Sequence, residues 1–197
     1  MSPARPKILL VSNAERGQCN VYIATARAVL RADPTVDLHF ASYAQLQDEI
    51  RGVSDDAQRR EPGIKPISWH TITGPTHLEC VLATGAKLYP GLDEEETQWG
   101  TPNFVLPLSM SVTMAATRDL ANGLMGWDGP SFMKVHDSVK AICDEVMPDL
   151  IVIDPLMAPA ITAAWYHESP MCALSPNAIK ETAWGSIFPW SQWTYPA

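Results

Sequence analysis

Apolar positions along this chain follow two rhythms, short unbroken runs and spacings of three and four. Residues 7–13 (KILLVSN) form a continuous apolar run after Pro6, closed by polar residues. That pattern suits a strand covered on both faces of a parallel sheet. Residues 19–31 predict a helix, with Val21, Ala24 and Ala28 on one face, Ile23 and Leu30 beside it, and Asp33-Pro34 as its stop. Val36, Leu38 and Phe40 then alternate with Asp37, His39 and Ala41 as a second strand. The chain therefore opens βαβ, the unit that builds parallel sheets.

Residues 45–62 are charged and predict a helical turn plus loop, and residues 67–72 (ISWHTI) a third strand. The acidic run Asp93-Glu94-Glu95-Glu96 reads as a solvated loop. Residues 105–120 predict a helix with Met110 and Met114 stacked at i and i+4, followed by breaks at Asn122-Gly123 and at residues 127–130. Phe132, Val135, Val139, Ile142 and Val146 mark an amphipathic helix that Pro148 stops. Leu150–Ile153 is a fourth strand, residues 158–167 a helix and residues 171–174 a fifth strand. Strands alternating with helices imply a doubly wound α/β sheet with helices on both faces.

Composition narrows the function classes. With 46% hydrophobic and 18% charged residues in 197 positions, the chain predicts one globular domain rather than a disordered segment. A net charge of −8 without any Lys/Arg run argues against a nucleic-acid or anionic-membrane partner. No apolar stretch is long enough to span a bilayer, and the N-terminus lacks a signal-peptide core. Cys19, Cys80, Cys143 and Cys172 are far apart, without CxxC spacing, which predicts a reduced, cytoplasmic protein with no metal site. Residues 183–197 carry Trp184, Phe188, Trp190, Trp193 and Tyr195 with no charged side chain. So apolar a segment predicts an interface with the rest of a larger protein, from which this chain reads as cut short.

In a doubly wound sheet, sites lie beyond the C-terminal ends of the strands. Those ends present residues 12–20 (SNAERGQCN), 71–74, Asp154, and Ser175-Pro176-Asn177. The first loop holds only Gly17, so it is not a dinucleotide fingerprint, and no Walker lysine follows. It can hold a polar ligand group at a helix N-terminus, or be a plain strand-to-helix turn. Asp154 can cap the next helix or serve a site. Among the five histidines, His70 near the end of the third strand is the best placed for a cleft. Met110, Met114, Met125 and Met133 suit core positions or an adaptable pocket wall.

The runs KILLVSNAERGQCNVYIATARAVL, VDLHFAS, ISWHTITG and DLIVIDPLMAPAITAAWYHESPMCALSPN, in that order, resemble the N-terminal half of a UDP-sugar-dependent glycosyltransferase. The family is the large small-molecule one with the GT-B fold, and its fungal branch is the most similar. The resemblance implies a single Rossmann-like acceptor-binding domain over residues 1–197, without the donor-binding domain. It implies a small, lipophilic, hydroxyl-bearing acceptor and a UDP-sugar donor held only by the missing domain or a separate chain. No cofactor is expected on this chain itself. In that family a His after the first strand is the base and an Asp at a later strand end orients and charges it. Asp154 matches the Asp, whereas Gln18 stands at the His position, and an amide cannot act as a base near neutrality. His70 or Asp154 would then have to serve. Acceptor contacts are expected from Asn13, Gly17, Gln18, Asn20, Gly74, Met110, Met114 and Asn177. The alternatives are a non-catalytic binding or regulatory subunit, an inactive truncated product, or a generic doubly wound small-molecule binder.

Overall fold

The computed structural model describes residues 5–83, 109–124 and 126–176. The aromatic run 183–197, the acidic run 93–96, Met125 and Asn177 lie outside the described residues. In chain order the elements are β1 (Lys7–Val11), α1 (Arg16–Ala32), β2 (Asp37–Ser42), α2 (Gln47–Arg60), β3 (Ser68–Thr71), α3 (His77–Ala83), α4 (Met110–Leu124), α5 (Gly129–Val146), β4 (Leu150–Ile153), α6 (Ala158–Tyr166) and β5 (Met171–Ala173).

The strands pair in parallel in the order β3-β2-β1-β4-β5, as the alternation of strands and helices predicts. Val11 stands opposite Ala41 and Ile153, Ser42 opposite Thr71, and Ile153 opposite Ala173, so all five strands end on one rim. Successive residues face opposite sides of the sheet. Leu10, Leu38, Phe40 and Val152 pack under α1 and α2, while Leu9, Val11, Ala41, Ile151 and Ile153 pack under α5 and α6. Burial on both faces explains why these strands read as unbroken apolar runs.

The helix after β1 starts at Arg16, three residues before the expected start, because the Glu15 carbonyl accepts from the N–H groups of Gln18 and Cys19 at 2.9 Å each. Gly17 through Asn20 thus form the first turn of α1, not a loop. Its buried stripe is Cys19, Tyr22, Ile23, Ala26 and Leu30, whereas Ala24 and Ala28 of the expected face are exposed. Larger side chains win the core position, and Tyr22 can be buried because its hydroxyl donates to the Leu174 carbonyl at 3.0 Å.

Residues 47–60 form a full helix rather than the expected helical turn plus loop. Ile50, Val53 and Ala57 lie at helical spacing and are buried, and Ser54 beside them accepts the Ile67 N–H at 3.0 Å. Burying Ile50 and Val53 stabilises the helix by roughly 1.5–3 kcal/mol each. Asp48 and Glu49 in its first turn and Arg59 and Arg60 in its last complement the helix dipole. α5 follows its predicted stripe; Asp128 caps it by accepting the Ser131 N–H at 2.8 Å, and Met147 in the left-handed region ends it before Pro148. Among the described residues, no helix is long and apolar enough to cross a membrane.

Candidate functional site

The chain builds β2 and β3 on one side of β1 and then crosses to build β4 and β5 on the other. The strand order therefore reverses between β1 and β4, and in open α/β sheets the crevice at that point takes ligands. Ser12 and Asn13 leave β1 there, and Asp154 leaves β4. All three are buried, with Asp154 fully inaccessible and Asn13 only 1% exposed.

Asp154 is held from four sides. Its own N–H donates to the Val11 carbonyl at 3.1 Å, and its carbonyl accepts the Met157 N–H at 3.0 Å. Its Oδ1 accepts the Leu156 N–H at 2.9 Å and its Oδ2 the Asn13 N–H at 3.4 Å. The carboxylate thus closes the turn into α6, and it also receives the Asn13 side chain. Burial pushes the Asp154 carboxyl above the usual carboxylate range; the Leu156 and Asn13 donors pull it down, and the nearby Glu15 charge adds to the rise. A carboxylate of raised basicity at a strand end is chemically suited to take a proton or to hold a developing positive charge.

Asn13 carries the more telling atom. A carboxylate only accepts, so it is the amide nitrogen of Asn13, not its Oδ1, that can pair with Asp154. That Oδ1 is buried and has no hydrogen-bond partner, and the same is true of Gln18 Oε1. Buried polar atoms in folded proteins are nearly always paired. Asn13 Oδ1, on the residue that bonds Asp154, marks a place short of hydrogen-bond donors, and Gln18 Oε1 is a second such atom in the first turn of α1. A ligand hydroxyl or amine would supply them.

The walls of the crevice are fixed by side chains that the sequence patterns do not single out. Ser42 Oγ donates to the Ser12 carbonyl at 2.7 Å and Ser12 Oγ to the Asn13 carbonyl at 2.8 Å. Glu15 does not cap α1; its Oε1 accepts the Leu78 N–H at 2.9 Å and so ties the β1–α1 connection to α3. Thr76 and Glu79 form a reciprocal capping box at α3, with bonds of 2.7 and 3.2 Å. The signal for that box, Thr76 three residues before Glu79, is visible in the sequence. Nothing in the sequence pairs Glu15 with Leu78.

The other expected site residues are placed as follows. Gly17 is open and exposed, and Asn20 is exposed one residue beyond Cys19. Gly74 has φ +122, and a Cβ there would meet Val135 Cγ2 at 2.8 Å, so glycine is required by the close approach of this turn to α5. Met110 and Met114 on α4 are 80% and 68% exposed. His70 faces the α5 side of the sheet, bonded to His39 at 2.9 Å. Its strand lies three positions from β4, roughly 14 Å at the usual strand spacing. The structure brings Asn13 and Asp154 into contact, with Gln18 in the first turn of the helix that follows. It does not bring His70, Gly74, Met110 or Met114 into contact with them. Burial raises the Cys19 thiol and pushes that of Cys143 up to about 11, so neither is an activated nucleophile. Among the described residues, no group of three or more His, Cys, Asp and Glu side chains is arranged to hold a metal ion.

No protein-family model matches the sequence, and no curated protein matches it. Solved structures do match the fold. The glycotransferase of kitacinnamycin is similar over 97% of this chain and 36% of its own, at 14% identity and a TM-score of 0.52. SsfS6, a glycosyltransferase from Streptomyces sp. SF2575, is similar over 87% of this chain and 39% of its own, at 12% identity and 0.53. The glycosyltransferase VinC, solved with dTDP, is similar over 97% of this chain and 40% of its own, at 13% identity and 0.50. The five-stranded parallel sheet thus matches the N-terminal domain of GT-B glycosyltransferases, and the chain spans well under half the length of these proteins.

Proposed function

We propose that this chain is the acceptor-binding portion of a UDP-sugar-dependent glycosyltransferase that acts on a small lipophilic alcohol. The observation that carries the proposal is the unpartnered buried acceptor Asn13 Oδ1 beside Asp154 at the β1/β4 switch point, with a second, Gln18 Oε1, in the first turn of α1. The likeness to glycosyltransferase structures supports the same reading, and assignment to a fungal-type branch rests on the sequence motifs alone.

The acceptor hydroxyl donates its hydrogen to this acceptor-rich crevice. Asn13 orients it and Gln18 adds a second contact. Asn13 takes no proton; Asp154, whose basicity burial raises, takes it after a small opening of the turn. Gln18 itself takes no proton, because its amide does not titrate. The oxygen so prepared attacks the anomeric carbon of the sugar nucleotide, UDP leaves, and the configuration inverts. The donor is held by a second domain or a separate chain, and alone this chain neither binds UDP nor transfers sugar.

Reconstitution tests this directly. The 197-residue chain, supplied with a donor-binding domain, should glycosylate hydroxylated lipophiles, and Asp154→Asn should abolish turnover. Reconstituted material that binds acceptor but never transfers sugar would favour the second reading, a non-catalytic binding subunit. That reading is motivated by Gln18, which replaces the titratable base expected at its position.

A further inference from the structure

A second polar cluster lies on the sheet, away from the crevice. His39 on β2 and His70 on β3 are diagonal neighbours on the face that α5 covers. His39 Nδ1 and His70 Nε2 are 2.9 Å apart, with ring centres 5.2 Å apart and planes 23° from parallel. The centres are farther apart than the nitrogens by about the sum of two ring radii. The rings therefore meet edge to edge in one plane, and the contact is a hydrogen bond at the usual length. One imidazole donates and the other accepts. If both rings were imidazolium, two N–H groups of like charge would point at each other.

The surroundings are set by four charged groups. Asp37 Oδ1 lies 3.4 Å from His39 Nε2 and accepts from Lys65 Nζ at 2.5 Å. Lys7 on β1 also faces His39, and Glu145 on α5 faces His70. Burial would push the Asp37 carboxyl up, but the Lys65 hydrogen bond and the neighbouring positive charges hold it below the usual range, so it stays an anion. Strand β3 is at the edge of the sheet and pairs only with β2. Beyond it, Ile72 N–H donates to the Ser42 carbonyl at 2.8 Å, and Tyr43 donates to the Pro75 carbonyl at 3.1 Å. Leu78 then bonds Glu15 beside the crevice.

We propose that the His39–His70 pair is an acid-released clasp, which when neutral locks edge strand β3 to β2 and when doubly protonated frees β3 and the connection through residues 71–78. The proposal stands independently of the glycosyltransferase reading. Both imidazoles are held below their ordinary value of 6.5, His39 by burial and the charges of His70, Lys65 and Lys7 against the pull of Asp37, and His70 by burial against Glu145. The unfolded chain takes up these protons at the ordinary value and the folded chain only at lower pH. The stabilisation is therefore complete above the ordinary histidine pKa and is lost as pH falls from there through the lower folded values.

Hydrogen exchange of the full chain, followed by mass spectrometry at about pH 7.5 and about pH 5.5 and corrected for intrinsic rates, tests the clasp. We expect peptides covering residues 68–78 to exchange about tenfold faster at the lower pH, with β1 and β4 nearly unchanged, as one proton per pH unit of linkage implies. His70→Gln keeps a donor for His39 Nδ1 and removes one of the two titrations, so it should reduce the acid response, and the double variant His39→Gln, His70→Gln should abolish it. Equal protection at both pH values would overturn the proposal, as would a His70→Gln chain that keeps the full response. If that variant does not fold, NMR titration of the wild-type imidazoles decides. Mutually shifted titrations below the ordinary value are expected, and two independent ones at it would refute the clasp.

Discussion

The β1/β4 crevice and the β2/β3 edge are both built from polar side chains on an apolar sheet, yet they differ in how those side chains are satisfied. At the edge, His39 bonds His70 and Asp37 bonds Lys65, while the far nitrogen of His39 is buried without a hydrogen bond, 3.4 Å from the Asp37 carboxylate. In the crevice, Asp154 is fully bonded, but Asn13 and Gln18 each leave a buried oxygen without a donor. Leaving such a group unpaired costs about 1–3 kcal/mol. A ligand that donates to Asn13 Oδ1 or Gln18 Oε1 would recover that cost. At the edge the one buried nitrogen without a hydrogen bond stands beside a carboxylate, whereas the amide oxygens of Asn13 and Gln18 are acceptors that a ligand donor would satisfy.

Asp154→Asn gives the largest expected break in this contrast. With donor domain supplied, kcat/KM should fall about 100- to 10,000-fold, the usual effect of losing a base or its charged partner. The variant keeps an acceptor for Leu156 but turns an NH2 group toward the Asn13 N–H, so its folding is checked by circular dichroism beside the kinetics. Because burial holds the Asp154 carboxyl above its ordinary value, its stabilisation is complete below that value and is lost as pH rises through the folded pKa, so Asp154→Asn should remove that pH-dependent loss in urea unfolding. A variant that is fully active at neutral pH would remove Asp154 from the chemistry.

Gly74→Ala comes next and acts on stability alone. The positive φ and the 2.8 Å approach to Val135 should cost about 1–3 kcal/mol, seen as a lower Tm. Activity per folded molecule should hold. A selective loss of acceptor affinity instead would bring the 71–74 turn into the site.

Much of this architecture is legible in the amino-acid sequence. The runs ILLV and LIVI are covered on both faces and can only be central parallel strands, and they place Ser12-Asn13 and Asp154 at neighbouring strand ends. The stripe on α5 is equally plain, because its apolar residues are large and regularly spaced. Composition obscures α2. Only Ile50 and Val53 are sizeable among its buried residues, so its charges dominate the pattern, although acids at its start and arginines at its end are a helix signature. Alanines on several sides of α1 hide which face is buried, and Gly17 mimics a turn inside a helix. The orphaned oxygens leave no trace in the sequence, since Gln18 and Asn13 differ from ordinary surface amides only in having surroundings empty of donors.

Gln18 gives the smallest and most discriminating change. Gln18→Ala removes one neutral hydrogen bond, so kcat/KM should fall about tenfold or less, in line with roughly 0.5–1.5 kcal/mol. A loss equal to that of Asp154→Asn would count against the assigned roles. Gln18→His should raise activity if a titratable base is what this position lacks.

The most direct test is calorimetry of the 197-residue chain with lipophilic alcohols, their O-methyl ethers and UDP. Sterol and polyketide alcohols are suitable probes. A crevice short of donors should bind the alcohol, bind its ether about tenfold more weakly for want of the hydroxyl hydrogen, and leave UDP unbound. Asn13→Ala should erase the difference between alcohol and ether. Equal affinity for alcohol and ether, a preference that survives Asn13→Ala, or micromolar binding of UDP to this chain alone would contradict the assignment of the β1/β4 crevice as a hydroxyl-acceptor site.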